Sequence, residues 1–580
     1  MSRFGAAFIL SSRARRKGTV VDSDRHLEVE AWREYALAAC GYTALTFVYA
    51  WRVVVHLGTH LAGTGGDGWQ NLWNMWWFKT AILSGQNPYF THLLHHPAGI
   101  TLVGHTLNPF NCVLAVPADA LFGQPAAYNL VFLFSFVASG FFMYLWVRDL
   151  GAPPLAAFLA GAVFTFSPYH FAHGQGHMQL TAMEWVPCFL WLSRRMWRAP
   201  SVRGGLLCGG ALALVAFCDL YYLVSCCIIA GLSLFLAAWR DWRRFWNRSL
   251  LQAVGVAIGT FALTGGLLVF AVATAWLGGE LMPGHDAVYW AADLQAFVVP
   301  NWISAWGHAF ESVSGLWTGN PAENSQYVGY SVIALAVLSV RLKPTADRPW
   351  VWVGIAGLGF VLALGPRLHW GGQILQNVPM PFGVIEKILP FLRLSGAPTR
   401  WCFLTVVAVS ILAGLGAGAL MEGAQERRVG GLKLAWLAGI GCTVLVLLEL
   451  APRYVEVRPF EQPSFAAALA ADPRPGAVYD LGGAGLALVR QMGHGRPLMG
   501  GYVSRVTYAA REFMQSTPVL RALRGEARLS ADELRSGAAT ISLSFLIIPV
   551  SHPMRARLAD LGLVQRFADQ GLEVWELPLP

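Results

Sequence analysis

Charged residues are scarce in this 580-residue chain, and their scarcity argues against an ordinary soluble fold. Asp, Glu, Lys and Arg together make up 13% of the sequence, roughly half the share that is usual in a soluble domain. Hydrophobic residues make up 55%, which is more apolar surface than a soluble fold of this length would bury. Because lipid can solvate such a surface, the composition predicts a membrane protein.

The cysteines show no pattern that would indicate a disulfide-rich or a metal-binding protein. The nine cysteines are scattered, almost all in apolar segments, and none follows Cys442. The sequence therefore predicts neither a disulfide framework nor a thiolate metal site. It contains no internal repeat and no low-complexity linker. The net charge of +9 does not indicate a nucleic-acid partner, because the basic residues form short clusters between apolar segments.

Eleven apolar segments are candidates to cross a bilayer, although several are short. The basic clusters between them all fall on the cytoplasmic side, which such clusters prefer, if the N-terminus is cytoplasmic. The apolar stretch 108–122 is interpreted as a re-entrant or interfacial helix, since another span would move two basic clusters outside. The predicted spans are 35–55, 126–147, 154–166, 181–192, 204–217, 221–239, 251–277, 327–340, 351–364, 402–421 and 432–450.

These segments predict an α-helical polytopic protein of a bacterial inner (plasma) membrane. Residues 1–34 form a cytoplasmic basic tail, whose apolar run is short for a signal peptide. The membrane domain covers 35–450, with long external loops at about 56–125, 167–179, 278–326 and 365–401. Residues 451–580 alternate strand and helix patterns and predict a small extracytoplasmic α/β domain. Its predicted strands are 477–481, 541–550 and 572–577, and its predicted helices are 464–471, 506–515 and 554–561.

The first external loop carries Asp67 within the sequence Gly65-Gly66-Asp67-Gly68, and Asp67 is the only acid between Glu34 and Asp119. The glycines form a flexible turn, and the aromatic stretch 69–80 is typical of a helix lying in the membrane interface. A lone carboxylate in a water-poor pocket can act as a general base or bind a metal. Alternatively, Asp67 caps the helix that follows it.

The second external loop contains His170, His173 and His177, followed by Gln179. The histidines are three and four residues apart, so a helix would place them on one face. They are candidates for substrate binding or, for His173 and His177, for a metal. Gly174 and Gly176 weaken the helical interpretation, and the alternative is interfacial His and Gln side chains that bond to backbone and headgroups.

Further polar candidates follow on the external side. Asp219, with Tyr222 close behind, either binds a hydroxylated substrate or caps the next helix. In the third loop, Asp293 and Glu323 are interleaved with aromatic residues, a mixture that suits sugar faces and also suits any interfacial loop.

The fourth external loop is basic, and Arg393 and Arg400 lie in it close to a late span. These two arginines are candidates to grip a lipid phosphate. The alternative is snorkelling to headgroups.

This pattern resembles the GT-C superfamily of integral-membrane glycosyltransferases, which use polyprenyl-phosphate-linked sugars. The resemblance covers most of the chain and rests on Asp67 behind the first span, the aromatic stretch after it, and the late arginines. Bacterial members of uncertain substrate share looser elements, here 167–177, 292–300, 390–400 and 494–505. Many members carry two acids in the first loop, whereas Asp67 stands alone, which leaves metal dependence open.

The resemblance implies inverting transfer of a sugar from a lipid-linked donor to a saccharide, lipid or protein acceptor at the external face. Asp67 is the expected base, and Arg393 and Arg400 are expected to hold the phosphate. A divalent cation, Mg²⁺ or Mn²⁺, is a candidate cofactor, with Asp67, His173 and His177 as candidate ligands. The other hypotheses are a transporter or flippase of lipid-linked saccharides, and a polymerase or ligase. The lack of a pseudo-repeat disfavours a transporter.

Overall fold

The computed structural model describes residues 21–342, 349–429 and 432–577. The first 20 residues of the predicted cytoplasmic tail, including its basic cluster at 13–17, lie outside the described residues. Most of the basic cluster at 341–348 and the middle of the basic cluster at 427–433, each of which lies between two predicted spans, are also outside the described residues.

The part of the chain up to residue 150 contains long helices joined by the first loop, in which short strands pair. Its helices are α1 (Val21–Tyr49), α2 (Trp51–Val55), α3 (Asp67–Leu83), α4 (Pro109–Phe122) and α5 (Ala126–Asp149). Its strands are β1 (His60–Ala62), β2 (Phe90–Thr91) and β3 (Ile100–Thr101), of which β2 and β3 form a hairpin.

The middle of the chain is helical up to residue 342. Its helices are α6 (Pro154–Thr165), α7 (Pro168–Gly174), α8 (Met178–Thr181), α9 (Trp185–Arg198), α10 (Val202–Cys218), α11 (Leu220–Arg240), α12 (Arg248–Ala262), α13 (Gly265–Leu277), α14 (Glu311–Ser314) and α15 (Tyr330–Leu342). Short 3₁₀ turns lie at Trp242–Trp246, Leu294–Phe297 and Gly307–Phe310.

The next part combines apolar helices with two hairpins. Its helices are α16 (Pro349–Ala363), α17 (Pro381–Ile388), α18 (Cys402–Gly423) and α19 (Leu434–Glu449), with 3₁₀ turns at Pro390–Leu394 and Pro398–Trp401. Strands β4 (Arg367–Trp370) and β5 (Gln373–Pro379) pair with each other, as do β6 (Arg428–Val429) and β7 (Leu432–Lys433).

Helix α18 lies at the centre of the apolar bundle and contacts α6, α15, α16 and α19. Its surface is buried almost throughout. Gly416 allows the closest approach, because a Cβ at this position would collide with the carbonyl oxygen of Leu335 on α15. Small residues at such crossings let helix backbones pack tightly, as is common within membranes.

Three helical segments among the described residues are long and apolar enough to cross a membrane: Ala126–Asp149, Leu220–Arg240 and Pro398–Gly423. Two bent pairs, α6 with α7 (43°) and α12 with α13 (54°), raise the number to five if each pair forms one span. Helices α4, α10, α15, α16 and α19 are apolar but shorter. Every predicted span overlaps a helix or a helix pair, whereas the number of eleven spans stays a prediction.

The C-terminal part contains the strands β8 (Val457–Pro459), β9 (Ala477–Asp480), β10 (Leu543–Pro549), β11 (Val564–Asp569) and β12 (Leu572–Glu576). The last four form a sheet in the order β11–β12–β10–β9, with β9 parallel to β10 and the other pairs antiparallel. Its helices are α20 (Ser464–Ala471), α21 (Ala484–His494), α22 (Tyr508–Ser516), α23 (Pro518–Leu523), α24 (Ala531–Thr540) and α25 (Arg555–Leu558). Strands β8 and β11 and helices α21, α23 and α24 are additions to the predicted elements.

The C-terminal part is packed onto the first loop. Strand β8 pairs antiparallel with β1, and α21 lies against α3. The indole nitrogen of Trp73 on α3 donates a hydrogen bond to Oε1 of Gln491 on α21, at 2.8 Å. The predicted aromatic helix at 69–80 therefore exists within α3, but most of its aromatic side chains are buried inside the protein and do not line a lipid-facing surface.

A buried ion pair fixes α21 to strand β9 of the four-stranded sheet. Asp480 ends β9, and its carboxylate accepts hydrogen bonds from Nε and Nη2 of Arg490 on α21, at 2.7 and 2.8 Å. Both side chains are almost fully buried. Because Gln491 is the next residue after Arg490, this pair also sets the helix face that contacts Trp73.

Replacing Arg490 with Met should destabilise the full chain by about 3–5 kcal/mol, because Asp480 would become an unpaired buried charge. Thermal unfolding of the detergent-solubilised protein, followed by tryptophan fluorescence, measures the effect. Arg566→Met is the matched control, since the partly exposed Arg566 side chain pairs with Glu576 at 3.4 Å and should contribute at most about 1 kcal/mol. Equal melting of the two variants would contradict the role of the buried pair.

Candidate active site

Asp67 is the first residue of α3 and follows a turn that only glycine tolerates well. Gly63, Gly65 and Gly66 have φ values of +103°, +88° and +52°. A Cβ at Gly63 would collide with the carbonyl oxygen of Gln175, and the Thr64 N–H donates to that same carbonyl at 2.9 Å. The glycine turn thus brings the first loop against the segment before His177.

The Asp67 carboxylate is bound on both sides by side chains from distant parts of the chain. Nε2 of His177 lies 3.0 Å from Oδ2, and the hydroxyl of Tyr502 donates to Oδ1. The cap residue of α3 is Gly66, without a side-chain hydrogen bond, so the helix-capping alternative for Asp67 is not supported. Since 33% of the Asp67 side-chain surface is exposed, a small hydroxyl compound can reach it.

The surroundings keep Asp67 ionised. Burial by itself raises the pKa of this carboxyl, but hydrogen bonds from His177 and Tyr502, together with the charges of His177 and Arg400, outweigh burial and lower the pKa to about 2. Asp67 is therefore an anion at neutral pH.

Two of the three predicted histidines meet at this site. Helix α7 ends at Gly174, and the turn after it returns the chain so that Nδ1 of His177 lies 3.2 Å from Nδ1 of His173. His170 does not join them. Its two ring nitrogens lie 2.8 Å from the carbonyl oxygens of Thr165 and Thr181, and its ring stacks on Phe136. Because α7 ends at Gly174, the three histidines do not share the helical face that their spacing predicted.

Glu323 and Arg400 form a buried ion pair beside the histidines. Nε and Nη2 of Arg400 donate to Oε1 of Glu323 at 3.0 and 2.6 Å, and the Thr399 hydroxyl donates to Oε2 at 2.9 Å. Burial raises the pKa of Glu323, but the charge of Arg400 dominates and holds the pKa well below its usual range. Each of His173, His177 and Glu323 offers one potential metal-ligand atom, and these three atoms lie within 4.8 Å of one another.

Asp219 lies nearby and caps α11, where its Oδ1 accepts from the Tyr221 N–H at 2.7 Å. Burial raises the pKa of this carboxyl to about 6, although the charges of Arg400, Arg505 and His177 oppose the rise. Both predicted alternatives for Asp219, a helix cap and a group near the substrate, are therefore compatible with its position.

The other predicted site residues lie elsewhere or bond to the backbone. The Tyr222 hydroxyl donates to the Leu180 carbonyl oxygen, and Asp293 accepts from the N–H groups of Gln295 and Gly372 at 3.0 and 2.8 Å. Gln179 is buried, and its Oε1 has no hydrogen-bond partner among the described residues. Arg393 is exposed, and no hydrogen bond or ion pair among the described residues joins it to the cluster around Asp67.

Sequence reasoning missed several residues that the structure brings to the site. Tyr221 lies under the guanidinium of Arg400, whose central carbon is 5.6 Å from the ring centroid. His105 has its Nδ1 3.0 Å from the Ser504 N–H. Tyr502 and Arg505 come from the C-terminal part, within the segment 494–505 that carried part of the family resemblance. That resemblance was the one signal that could have found them.

Comparison with solved structures supports the fold. The mycobacterial arabinofuranosyltransferase AftD is similar, with a TM-score of 0.51 and 14% identity over 94% of this chain and 42% of AftD. This chain therefore spans less than half the length of AftD. ArnT from Cupriavidus metallidurans bound to undecaprenyl phosphate matches at 12% identity and a TM-score of 0.42, over 94% of this chain and 98% of ArnT. The oligosaccharyltransferase AglB from Archaeoglobus fulgidus, in complex with an inhibitory peptide and a dolichol-phosphate, matches at 13% identity and a TM-score of 0.44, over 91% of this chain and 70% of AglB.

The GT-C superfamily fold predicted from the sequence is confirmed. A search of curated proteins found no match. Residues 38–440 match the family model described as "Domain of unknown function (DUF6311)". This match covers well over half of the chain, and the protein therefore belongs to the DUF6311 family.

Proposed function

We propose that the protein is a membrane glycosyltransferase that moves a sugar from a polyprenyl-phosphate donor to an acceptor. The observation that carries this proposal is the convergence of Asp67, His177, Glu323 and Arg400 in one cluster. An ionised carboxylate and a guanidinium close together are what an acceptor hydroxyl and a leaving phosphate require. The similar fold of an arabinofuranosyltransferase agrees with sugar transfer.

Asp67 is the proposed general base. The acceptor oxygen bonds to the anomeric carbon while the bond from that carbon to the phosphate oxygen breaks, and Asp67 takes the hydroxyl proton. One displacement of this kind inverts the anomeric configuration. A carboxyl with a pKa of about 2 is a weak base, but the transition state is oxocarbenium-like and the acceptor hydroxyl becomes acidic as its bond to carbon forms. His177 holds Oδ2, while Oδ1, which accepts from Tyr502, has a second lone pair for the acceptor hydroxyl.

Arg400 is the proposed first cation for the phosphate. Its Nε and Nη2 are used by Glu323, whereas Nη1 makes no hydrogen bond to a described residue. The pair with Glu323 fixes the plane of the guanidinium, so Nη1 is oriented before the donor binds. A charge-assisted hydrogen bond from such a group stabilises the negative charge that develops on the leaving phosphate.

The residues His173, His177 and Glu323 fit a divalent cation. Nε2 of His177 is bound by Asp67, so Nδ1 is the nitrogen left for a metal, and Asp67 would orient the ligand from outside. Two imidazoles and one carboxylate suit Mn²⁺ or Zn²⁺ better than Mg²⁺. A bound cation would supply positive charge beside the leaving phosphate. This set replaces Asp67 with Glu323 in the ligand group expected from the sequence.

We further propose that the site faces the extracytoplasmic side of a bacterial inner membrane, with a cytoplasmic N-terminus and an extracytoplasmic C-terminus. The proposed partners are the lipid-linked donor and a saccharide, lipid or protein acceptor. The long connections that carry Asp67, His177 and Glu323 all fall on one side in the predicted topology. A site confined to one side favours transfer there over passage through the membrane.

Asp67→Asn should reduce sugar transfer by at least about 100-fold, because the amide cannot accept the proton. The assay uses the purified full chain in lipid nanodiscs, a panel of radiolabelled undecaprenyl-phosphate sugars, and membrane extract as acceptor source. The protein should stay folded with some loss of thermal stability, because Asn retains the shape of Asp67 but loses its charge beside His177. Asp241→Asn, the same change at an exposed position, is the control and should leave transfer unchanged. Wild-type turnover by Asp67→Asn would remove Asp67 from the mechanism.

Metal binding is tested directly by isothermal titration of the chelator-treated protein with Mn²⁺ and, separately, with Zn²⁺. The wild type should bind one ion of at least one of these metals, and His173→Asn/His177→Asn should bind neither. Asp67→Asn should weaken binding about 10- to 100-fold without abolishing it, because Asp67 is assigned outside the ligand set. His308→Asn, at an exposed histidine, is the control. Binding by the double variant equal to that of the wild type, or no binding by the wild type, would contradict the site.

A further inference from the structure

The segment 500–505 of the C-terminal part is fastened to the first loop along its whole length. The Gly500 carbonyl oxygen accepts from the His95 N–H at 3.0 Å, and the Tyr502 carbonyl oxygen accepts from Nε2 of Gln70 at 2.9 Å. The Ser504 hydroxyl lies 3.0 Å from Oε1 of Gln70. These bonds give the segment one register on the first loop and fix where its side chains enter the site.

This segment reaches both ends of the proposed reaction. Tyr502 touches the Asp67 carboxylate, and Arg505 follows three residues later. A trans backbone spans at most about 10 Å over three residues. The Cα atom of Arg505 therefore lies within about 10 Å of that of Tyr502, and its side chain passes within 4.0 Å of the position that a Cβ on Gly104 would occupy.

Arg505 differs from Arg400 in having no carboxylate bound to it. Its Nη1 donates to the Ser504 carbonyl oxygen at 2.6 Å, and it forms no ion pair with a carboxylate among the described residues. Burial and the charge of Arg400 lower the pKa of the Arg505 guanidinium to about 10, whereas Tyr221 and Asp219 act in the opposite direction. Arg505 thus remains a cation at neutral pH, in the field of a second cation.

A bound anion would supply the charged partner that the Arg505 guanidinium lacks among the described residues. An unpaired cation beside another one destabilises the protein, and such an arrangement is typical of a site that becomes stable when its anion arrives. Guanidinium groups match phosphate oxygens in geometry as well as in charge.

We propose that Arg505 and Arg400 together bind the phosphate of the lipid-linked donor, so that the C-terminal part supplies half of the phosphate site. The proposal rests on the proposed function for the identity of the donor. It gives Arg505 the role expected from the sequence for Arg393, which is exposed. It also gives the C-terminal part a task, since the segment 500–505 would hold the acid through Tyr502 and the phosphate through Arg505.

Binding of undecaprenyl phosphate to the detergent-solubilised full chain, without any acceptor, tests this inference. Arg505→Gln should weaken the affinity about 10- to 100-fold, because a charged hydrogen-bond donor to phosphate is lost. Arg505→Lys should fall between the wild type and Arg505→Gln. Arg511→Gln is the matched control, since Arg511 is exposed on α22 and should bind as the wild type does. Undecaprenol, which lacks the phosphate, should bind equally to all four proteins.

Thermal unfolding separates a binding role from a structural one. Without ligand, Arg505→Gln should melt at or above the wild-type temperature, because repulsion with Arg400 is removed. With saturating undecaprenyl phosphate, the wild type should gain more thermal stability than the variant. A lower melting temperature for ligand-free Arg505→Gln, or unchanged affinity for undecaprenyl phosphate, would overturn the proposal.

Inorganic phosphate distinguishes the source of the anion. It should compete with undecaprenyl phosphate in the wild type, with the lipid binding more tightly. If Arg505→Gln weakened only the binding of inorganic phosphate, the lipid-phosphate assignment would be overturned. Because binding needs no turnover, loss of affinity in a protein that transfers no sugar would preserve this phosphate site while rejecting the proposed function.

Discussion

The Asp67 carboxylate is held between His177 and Tyr502, and the rest of the site depends on this contact. Asp67 comes from the first loop, His177 from the segment after α7, and Tyr502 from the C-terminal part. The glycine turn at 63–66 permits the approach of the first two, and the hydrogen bonds of Gln70 and Trp73 secure the third. Packing at three separate interfaces is therefore needed to place one acid, which explains why the C-terminal part is bound so extensively to the first loop.

Two charged groups of the site form an ion pair with each other, whereas Asp67 and Arg505 do not take part in that pair. Glu323 and Arg400 neutralise each other in a buried pair, which fixes geometry at little net charge. Asp67 remains ionised, and Arg505 has no carboxylate bound to it, so these two groups carry the chemistry that the pair supports. One short segment of chain contacts the acid through Tyr502 and carries the cation Arg505. This segment would couple the position of the acceptor to that of the donor phosphate.

The helices, the lone acid after the glycines and the late Arg400 were predictable from sequence, because hydropathy and local spacing indicate them. The separation of His170 from His173 and His177 was not, since it depends on where α7 ends and on backbone carbonyls that receive the His170 ring. The burial of α3 was missed because its aromatic pattern suits lipid and protein equally well. Tyr502 and Arg505 were beyond local patterns, since Tyr502 meets Asp67 only through packing of residues more than 400 positions apart.

The central claim is that acid and phosphate share one site. An experimental structure of the full chain in lipid nanodiscs with undecaprenyl phosphate, determined by electron cryomicroscopy, tests it most directly. The account predicts phosphate density within hydrogen-bond distance of Nη1 of Arg400, in the site that also holds Asp67. Phosphate ordered more than about 15 Å from Asp67 would contradict the account, because acceptor and phosphate must meet across a single sugar ring.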